Sequence, residues 1–346
     1  MSAIRLSVTG PEVELSAFDQ EVSVVAAIAV MDADPGTALV PGRLLANIVR
    51  SLPNGSVRVL NEGQRIRLTC ADVEFALPTY SADLYPLLPG RLPATGAVVG
   101  RSLGSSIQSV ATAASRDDTS PELAGMLIEV AGEKLTLAAT DRYRIAVATL
   151  DWSPKDSAIC SRALVPAQKF AEAAKSMMAE PELALALPPS GGGSPELLGL
   201  AGGGRWTTTR LLGENRIPDY GTLLRREWQV LAVVDTERLL EAVRRVALVA
   251  SDTSPVHMNV DHEQLVLTVG GPDGAAALEK LPSKCRGGPV AIAFRPSTLY
   301  DGVNAISSDA TWLKFTTSDG PAMITRSTDS GLEDDSFRYA LTPVRT

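Results

Sequence analysis

The chain contains the same pattern three times, and this internal repeat limits the folds that it can adopt. In each copy a short apolar strand leads through a proline into a segment with helical spacing. A further strand lies upstream, and its marker residues Leu15, Leu137 and Leu267 are 122 and 130 residues apart. Similarity at a near-constant period indicates one structural unit that is used repeatedly. The strand–proline–helix segments are residues 38–50, 163–175 and 292–304.

Short strands dominate the rest of each copy. Downstream of each helix, apolar and polar residues alternate in runs separated by Asn, Gly, Asp and Ser, which is typical of antiparallel meanders. A chain of 346 residues has room for two or three domains at about 150 residues each, and the repeat favours three. We therefore predict an α+β fold of three similar domains, with helices on one face of antiparallel sheets. The predicted domains are residues 1–95, 96–227 and 228–346.

The first copy is shorter than the other two. Copies two and three open with a strand and an amphipathic helix, at residues 97–116 and 229–251, whereas copy one has no such opening. The period places the matching start about thirty residues before Met1. We expect domain 1 to lack its opening strand and helix, which would uncover core and a sheet edge. Two explanations stay open: a start codon assigned too late, or a divergent paralogue with an incomplete first domain.

Charge is unevenly distributed along the chain. The net charge of −8 by itself weighs against a nucleic-acid partner. However, the five predicted helices together carry +4, and the remainder of the chain carries −12. Basic helix faces on one side of a sheet would present dilute positive charge to a phosphate backbone. The predicted helices are residues 41–53, 100–116, 166–179, 235–251 and 295–309.

The first helix illustrates the expected division into two faces. Its apolar residues recur at helical spacing and should pack inward. They are Leu44, Leu45, Ile48, Val49 and Leu52. An ordinary solvated helix face is the simpler interpretation of the polar side, and the repeat is what favours contact with DNA. The candidate DNA-facing residues of all helices are Arg43, Asn47, Arg50, Arg101, Gln108, Arg116, Lys169, Lys175, Arg238 and Arg245.

Other function classes receive little support from the sequence. The longest apolar run near the start, Val24 to Val30, is far shorter than the roughly 20 residues that span a bilayer, so we expect no membrane association. Three widely spaced cysteines and no histidine cluster predict neither a disulfide framework nor a metal site, as in a reducing cytoplasm. Gly100–Gly104 matches the G-x-S-x-G pattern of serine hydrolases with Ser102 as nucleophile. That short pattern leaves a hydrolase as a weak alternative to a glycine-rich helix start.

Four segments in order resemble the bacterial DNA polymerase III β subunit family, the sliding clamps. They are residues 39–45, 135–147, 211–220 and 339–345, and Arg116–Thr119 with Asp141–Arg144 resemble actinobacterial members. The resemblance implies a non-enzymatic processivity factor without cofactors that acts in the cytoplasm. It also implies that two protomers join head to tail as a ring around duplex DNA. The implied partners are the replicative polymerase subunit, the clamp loader and other clamp-motif proteins. An alternative within the family is a truncated paralogue that binds partner peptides without closing a ring.

The resemblance also implies two sets of site residues. Phe75 and Leu77 match the first-domain side of the dimer interface, and Ala247 and Leu248 match the third-domain side. The partner-peptide groove would lie between domains 2 and 3, where partners insert a segment with a glutamine and large apolar residues. The matching groove residues are Leu123, Thr140, Arg142, Tyr143, Arg144, Ile145, Pro218, Leu223, Thr253, Ala340, Leu341, Thr342, Pro343 and Val344.

Three groove positions depart from the family pattern. Thr342 stands where methionine is typical, Ala340 where a larger aliphatic residue is common, and Thr253 where an aromatic residue is frequent. The resemblance therefore implies a groove that is wider or more polar than usual. For Ile145 and Leu223, simple core packing remains an equal alternative.

Overall fold

A computed structural model describes residues 3–117, 119–188, 197–213, 220–250, 254–270 and 274–344. Within these ranges the fold is a series of antiparallel meanders interrupted by a few helices. The elements fall into the three predicted segments, called domains 1, 2 and 3 below. None of the described helices is long and apolar enough to span a membrane.

Domain 1 has seven strands, one α-helix and a 3₁₀ turn at Ala82–Leu84 in its described part. The elements are β1 Ala3–Val8, β2 Glu12–Phe18, β3 Val22–Ala29, β4 Gly36–Pro41, α1 Gly42–Ser51, β5 Val57–Asn61, β6 Arg65–Cys70 and β7 Val73–Pro78.

Domain 2 opens with a strand and a helix that domain 1 does not show. Its elements are β8 Gly96–Val99, α2 Gly100–Ala111, α3 Pro121–Ala124, β9 Gly125–Ala131, β10 Lys134–Thr140, β11 Arg144–Asp151, β12 Ser153–Pro154, β13 Cys160–Pro166, α4 Ala167–Lys175, β14 Glu182–Ala186, β15 Leu197–Gly202 and β16 Arg205–Arg210. A single-turn helix, α5 Gly221–Leu224, leads into domain 3.

Domain 3 repeats the order of domain 2. Its elements are β17 Val230–Asp235, α6 Thr236–Val246, β18 Val256–Val260, β19 Gln264–Gly270, β20 Ala276–Pro282, β21 Lys284–Arg286, β22 Val290–Phe294, α7 Pro296–Asn304, β23 Ala310–Phe315, β24 Ala322–Ser327 and β25 Glu333–Leu341. A 3₁₀ turn at Ala247–Val249 follows α6.

The repeat is confirmed element by element. The β8–α2 and β17–α6 units have no counterpart in the described part of domain 1, whose β1 corresponds to β9 and β18. The predicted helices are present but shorter; the first, for example, spans 42–51 rather than 41–53. Proline ends the preceding strand at β4 and β13, since proline fixes the backbone angle without needing a hydrogen-bond donor.

Two nine-stranded sheets cross the domain boundaries. β3 of domain 1 pairs antiparallel with β16 of domain 2, and β11 of domain 2 pairs antiparallel with β25 of domain 3. Two smaller sheets end in strands with one unpaired edge: β5–β6–β7 in domain 1 and β20–β19–β18–β22 in domain 3. The domains are therefore joined by continuous hydrogen-bonded ladders rather than by linkers alone.

The buried cores are very unequal. One large cluster runs through domains 2 and 3 and includes residues of α2, α4, α6 and α7. Domain 1 has a separate cluster of six buried residues. They are Val40, Leu45, Ile48, Ile66, Leu68 and Leu77.

The apolar face predicted for α1 is only partly buried. Leu45 and Ile48 belong to the domain 1 core, whereas Leu44 and Val49 are exposed, contrary to the prediction. For Val49 the reason is that no neighbouring helix covers it, whereas Leu44 corresponds to Lys169 of α4, whose side chain is 43% exposed as well. α2 packs against α4, and α6 packs against α7, but α1 has no partner helix in the described part of its domain. Val49 is 52% exposed, and the corresponding Val303 of α7 is fully buried.

Candidate functional sites

Domain 2 has a small, fully buried apolar cluster beneath the predicted groove, and it is called the floor below. Four buried residues form it, and they point away from the large core because neighbours on each strand alternate between the two faces. The segment between domains 2 and 3 covers them through Leu212, Tyr220 and Leu224. The Tyr220 hydroxyl donates to Glu129 at 2.5 Å and holds the segment in place. The floor residues are Leu127, Ala138, Val147 and Leu164.

The β10–β11 hairpin forms one wall of the groove. The Thr140 hydroxyl donates to the Arg144 carbonyl at 2.6 Å, and Asp141 accepts from the backbone amides of Tyr143 and Arg144. Arg142 has a φ of 79°, in the left-handed region that such a tight hairpin needs at this position. These bonds hold the Tyr143 side chain outward, half exposed, where the Arg295 guanidinium lies 4.1 Å from its ring centroid.

A buried ionic network joins this hairpin to domain 3. Arg144 donates to Asp141 at 2.8 Å, to Asp301 of α7 at 2.6 Å and to the Tyr339 hydroxyl at 3.1 Å. Burial alone would lower the pKa of Arg144, but Tyr339, Asp301 and Asp141 outweigh it and raise that pKa well above its usual value. Burial raises the pKa of Tyr339 in turn. Gly302 permits this close packing, since a Cβ there would lie 2.6 Å from the Tyr339 ring.

The C-terminal strand completes the other wall. Ala340 of β25 lies opposite Ile145 of β11, and both Ala340 and Leu341 are buried. The Thr342 amide donates to the Tyr143 carbonyl at 2.8 Å, and the Val344 amide donates to Ala293 at 2.8 Å. The hairpin and the C-terminal segment, which the sequence placed in one groove, therefore lie side by side.

The remaining predicted groove residues are less central or lie outside the description. Leu123 is half buried in α3, which packs against β9, β10 and β13, and Leu223 is half buried in α5. Pro343 is half buried in the C-terminal segment. Pro218 and Thr253 lie outside the described residues.

Sequence reasoning missed the groove floor and the residues that anchor Arg144 and Tyr143. The floor did leave a signal. β9, β10 and β11 are nearly continuous apolar runs, which is typical of strands buried on both faces. No sequence signal marked Asp301 or Arg295, because these residues contact the hairpin only in the folded chain.

Four helices of domains 2 and 3 form a continuous row. α4 packs on α2, α7 packs on α6, and the Ser109 hydroxyl of α2 donates to Ala305 at the end of α7 at 3.0 Å. Most of the candidate DNA-facing residues are exposed, and those named here form no salt bridge with another described residue. They are Arg43, Arg50, Arg101, Arg116, Lys175 and Arg238.

Three other candidates from that set are engaged in local contacts. Lys169 is held by Asp19 and Glu21 of domain 1, at 2.9 and 2.5 Å. The Gln108 amide donates to the Ala171 carbonyl of α4 at 2.6 Å. Arg245 pairs with Glu241 and Glu279 at 2.9 and 2.5 Å. Asn47 is exposed on α1.

The predicted dimer residues lie beside the two unpaired edges. On β7, Phe75 is half buried and Leu77 is fully buried. Leu77 could therefore contact a partner strand only through its backbone. Ala247 and Leu248 lie in the 3₁₀ turn after α6, and Leu248 is 81% exposed.

Comparison with known proteins identifies the family. Residues 1–89, 97–219 and 222–343 match the N-terminal, central and C-terminal domains of the DNA polymerase III beta subunit family. The beta sliding clamp of Streptomyces coelicolor is 41% identical over 346 residues, which is all of this chain and 92% of that protein. This chain belongs to the DNA polymerase III beta subunit family.

Further relatives agree with this membership. The beta sliding clamp homolog GriR of Streptomyces muensis is 36% identical over 348 residues, covering 100% of this chain and 91% of that protein. Among solved structures, the Pseudomonas aeruginosa sliding clamp bound to griselimycin matches with a TM-score of 0.85 and 26% identity, covering 100% of this chain and 91% of that one.

As a member of this family, the chain functions as a DNA sliding clamp, a non-catalytic processivity factor in replication. Nothing in the comparisons supports the hydrolase alternative. Ser102 is exposed in the first turn of α2 in domain 2, while His257 lies on β18 in domain 3. Among the described residues there is no group of three or more His, Cys, Asp or Glu side chains that could hold a metal ion.

Proposed function

We propose that two copies of this clamp close head to tail into a ring that encircles duplex DNA in the cytoplasm. The carrying observation is that β7 and β20 are edge strands of their sheets, although their counterparts pair across the domain junctions. The domain 1–2 junction uses β3 and β16, and the domain 2–3 junction uses β11 and β25. Two strands that correspond to these junction strands have no such partner within the chain. One is β20, which corresponds to β3 and β11 in the repeat. The other is β7, which corresponds to β16 and β25. Pairing β20 of one copy with β7 of another makes a third junction of the same kind.

The two internal junctions also give the register of that pairing. At the first junction Thr207 lies opposite Val24, and at the second Tyr339 lies opposite Ala146. The corresponding residues on the free edges are Phe75 and Ala277. Each packs, partly buried, against the core of its own domain, so pairing them would join the domain 1 core of one copy to the domain 3 core of the next. The exposed Leu248 would gain cover at the same interface.

Loading onto DNA tests ring closure directly. A topological tether predicts that clamp placed on nicked circular DNA by a clamp loader stays bound and is lost when the DNA is cut to a linear form. Equal retention on linear DNA with free ends would refute ring-type tethering. A chain that sediments as a monomer at micromolar concentration would instead favour the paralogue that binds peptides without closing a ring.

A matched pair of variants tests the interface. Leu248→Glu places a charge in the proposed interface, and we expect it to weaken dimerisation by at least about tenfold, since an unpaired charge there would be desolvated. Leu332→Glu makes the same change at another exposed leucine, which is remote from both edges in sequence. Analytical ultracentrifugation should show a dimer for the control and a shift to monomer for Leu248→Glu.

The exposed basic residues would contact phosphates without reading sequence. Such contacts position DNA and weaken as salt displaces them. We expect Arg50→Gln and Arg101→Gln each to weaken DNA retention and to reduce the slope of log affinity against log salt by roughly 0.9. Arg58→Gln, on the exposed strand β5, is the control and should leave the slope unchanged.

The groove would hold the apolar segment of a replicative polymerase subunit, the clamp loader or another clamp-motif protein. The fixed hairpin with its exposed Tyr143, and the exposed Thr342 whose amide is bonded to it, support this assignment. The probe is a short labelled peptide with one glutamine and two large apolar residues. Tyr143→Ala should weaken its binding by about tenfold, as loss of an aromatic contact does at a binding hot spot. Thr342→Met should strengthen binding, because Thr342 is exposed and methionine adds apolar surface.

A further inference from the structure

The segment that joins domains 1 and 2 leaves a cavity on the face of the domain 2 sheet that is turned away from α2 and α4. Its volume is about 430 Å³, within the range of about 300–1,000 Å³ that is usual for small-molecule sites. Strands β14, β15 and β16 form its base, and four side chains stand around it. They are Arg91, Leu92, Lys155 and Trp206. None of them belongs to the peptide groove, the edge strands or the helix row described above.

Small side chains give the cavity its depth. Leu183 and Leu185 of β14 point into the core, so the residues that alternate with them face the cavity. The cavity-facing residues of β14 and β15 are Ala184, Ala186, Gly199 and Ala201. When β8 is aligned with β17, the ladders match these positions with Trp312, Lys314, Met323 and Thr325 of domain 3. The depth of the cavity is therefore set by the sequence of domain 2 and not by the repeat.

Backbone contacts hold the walls of the cavity in place. The Lys155 amide donates to the Thr95 carbonyl at 2.8 Å, and the Thr95 amide donates to the Leu185 carbonyl of β14 at 2.8 Å. Leu92 rests on Gly199, where an added Cβ would lie 3.3 Å from the Leu92 Cβ. The joining segment and Lys155 are therefore fixed against the strands of the base before any ligand arrives.

The lining combines an aromatic ring, two cations and a buried hydroxyl. The guanidinium carbon of Arg91 lies 5.7 Å from the centroid of the Trp206 ring, within the range of cation–π attraction. Arg91 and Lys155 are exposed, and neither forms a salt bridge with another described residue. Thr208 is only 1% exposed, and its hydroxyl makes no hydrogen bond within the part of the chain that the structure describes. Of the described residues that line the cavity, none is acidic.

A second depression shares Arg91 and Trp206 with this cavity. Its lining includes the carboxylates of Glu12 and Glu14. Carboxylates repel an anion and attract a cation. An anionic group is therefore favoured beside Lys155 and disfavoured beside the two glutamates, so the electrostatics give the cavity a direction.

We propose that the cavity binds a small organic anion that consists of a planar ring and a carboxylate or another acid group. The ring lies on the small residues of the base beside Trp206, since aromatic faces pack well on one another. Lys155 and Arg91 supply charge-assisted hydrogen bonds to the acid group, and Thr208 supplies a donor for a further polar atom. Because Arg91 belongs to the joining segment and Trp206 to β16, the bound anion ties that segment to domain 2.

Naphthoate is the probe, and its neutral amide, naphthamide, is the matched control. Saturation-transfer NMR with the full chain should show saturable binding of naphthoate. Naphthamide should bind at least about fivefold more weakly, because it keeps the ring but loses the charge. Hydrogen exchange with naphthoate bound should slow at residues 91–95 and in β16, and it should stay unchanged in β18 of domain 3.

A pair of lysine variants tests the role of charge. Lys155→Gln should weaken naphthoate binding by about three- to tenfold, because it removes one charge-assisted donor at the cavity. Lys284→Gln makes the same change at an exposed lysine on β21 of domain 3 and should leave the affinity within about twofold. Equal weakening by the two variants would show that only the overall charge of the chain matters, which contradicts the proposal.

A pair of alanine variants tests the shape of the site. Ala184→Leu fills part of the cavity, and we expect it to weaken naphthoate binding by about tenfold or more. Ala291→Leu, at an exposed position of β22 in domain 3, should leave binding unchanged. Ala184 is only partly buried, so leucine fits there, and thermal unfolding should show that both variants fold.

Three outcomes would overturn the proposal. One is the absence of saturable naphthoate binding. Another is tighter binding of naphthylmethylamine, a cation with the same ring, because the two glutamates would then dominate the site. The third is binding that Tyr143→Ala abolishes and Ala184→Leu does not change, since naphthoate would then occupy the peptide groove. Each outcome is independent of whether the clamp closes into a ring.

Discussion

Domains 1 and 2 have the same order of elements, yet equivalent positions in the two domains are buried to very different extents. Both have the same hairpin, in which an aspartate, Asp19 or Asp141, accepts two backbone hydrogen bonds beside a residue of positive φ. Domain 2 adds β8 and α2, and its helix α4 is packed on both sides. In domain 1 the equivalent helix α1 contributes Leu45 and Ile48 to a core cluster of only six buried residues. Burial at a repeat position is therefore set by the presence of a neighbour and not by the residue itself.

The largest expected effect comes from the central residue of each helix. Phe170 of α4 is buried in the large core, and Leu45 of α1 is its counterpart in the small one. Phe170→Ala should lower the free energy of unfolding by about 3–5 kcal/mol, because it removes a large buried side chain and leaves a cavity. Leu45→Ala should lower the free energy of unfolding by about 2–3 kcal/mol, since the residues around the smaller cavity can move in to fill part of it.

Urea denaturation with hydrogen exchange separates the two cases. Leu45→Ala should speed exchange in β5 and β6 while leaving β14 and β15 unchanged, and Phe170→Ala should act on β14 and β15. If Leu45→Ala sped hydrogen exchange equally in β5–β6 and in β14–β15, the small core would not be independent of the large one.

The ionic junction between domains 2 and 3 is the next test. Arg144→Met should cost about 2–3 kcal/mol, because it leaves Asp141 and Asp301 without the cation that they share in a largely buried site. Lys134→Met is the control, since its pairing with Asp151 is exposed and such pairs contribute about 0–1 kcal/mol. The readout is thermal unfolding together with hydrogen exchange at β25. A loss no larger than that of the control would show that the ladder alone holds this junction.

A pair of valines at equivalent positions measures the effect of a neighbouring helix most directly. Val303→Ala should cost about 2 kcal/mol, because the side chain is fully buried between α7 and its neighbours. Val49→Ala at the equivalent position should cost less than about 0.5 kcal/mol, since Val49 is exposed. Chemical denaturation of the two variants gives both values. Similar losses would mean that Val49 is covered in solution.

Sequence reasoning predicted the architecture better than the contacts. The repeat predicted the α+β fold and the order of elements that the described parts of the three domains share, because periodicity and turn residues are local signals. It failed at Leu44 and Val49, which it placed inside. Helical spacing shows that a face is apolar, but it cannot show whether anything covers that face.

The contacts among the predicted groove residues were foreseen only in part, for a related reason. Thr140, Arg144, Ile145 and Ala340 were named through the family resemblance, and the structure brings them together. The contact between Arg144 and Asp301 joins residues 157 positions apart, and no local pattern indicates it. Long-range pairs of this kind depend on the register of β11 against β25, which the sequence alone does not specify.

The smallest expected effect is at the junction between domains 1 and 2. Lys169 of α4 bridges Asp19 and Glu21, and all three side chains are about half exposed. Lys169→Met should therefore cost only about 0.2–1 kcal/mol, far less than the change at Arg144. Burial acts in the opposite direction, but Glu21 and Asp19 together raise the pKa of Lys169. Backbone amides and Lys169 lower the pKa of Asp19 despite its partial burial.

These shifts fix the pH range of the effect. A raised lysine pKa gives stability that is complete below the unfolded value of about 10.4 and is lost as pH rises through the folded value. A lowered aspartate pKa gives stability that is complete above about 3.9 and is lost as pH falls through the folded value. The difference between Lys169→Met and the unmodified chain should thus be constant near neutral pH and shrink toward both extremes. Thermal unfolding across pH measures it, and about 1 M salt should reduce the difference because exposed pairs are screened. A difference that persisted in acid or high salt would mean that Lys169 acts through packing of its aliphatic stem, and the two junctions would then differ in kind as well as in strength.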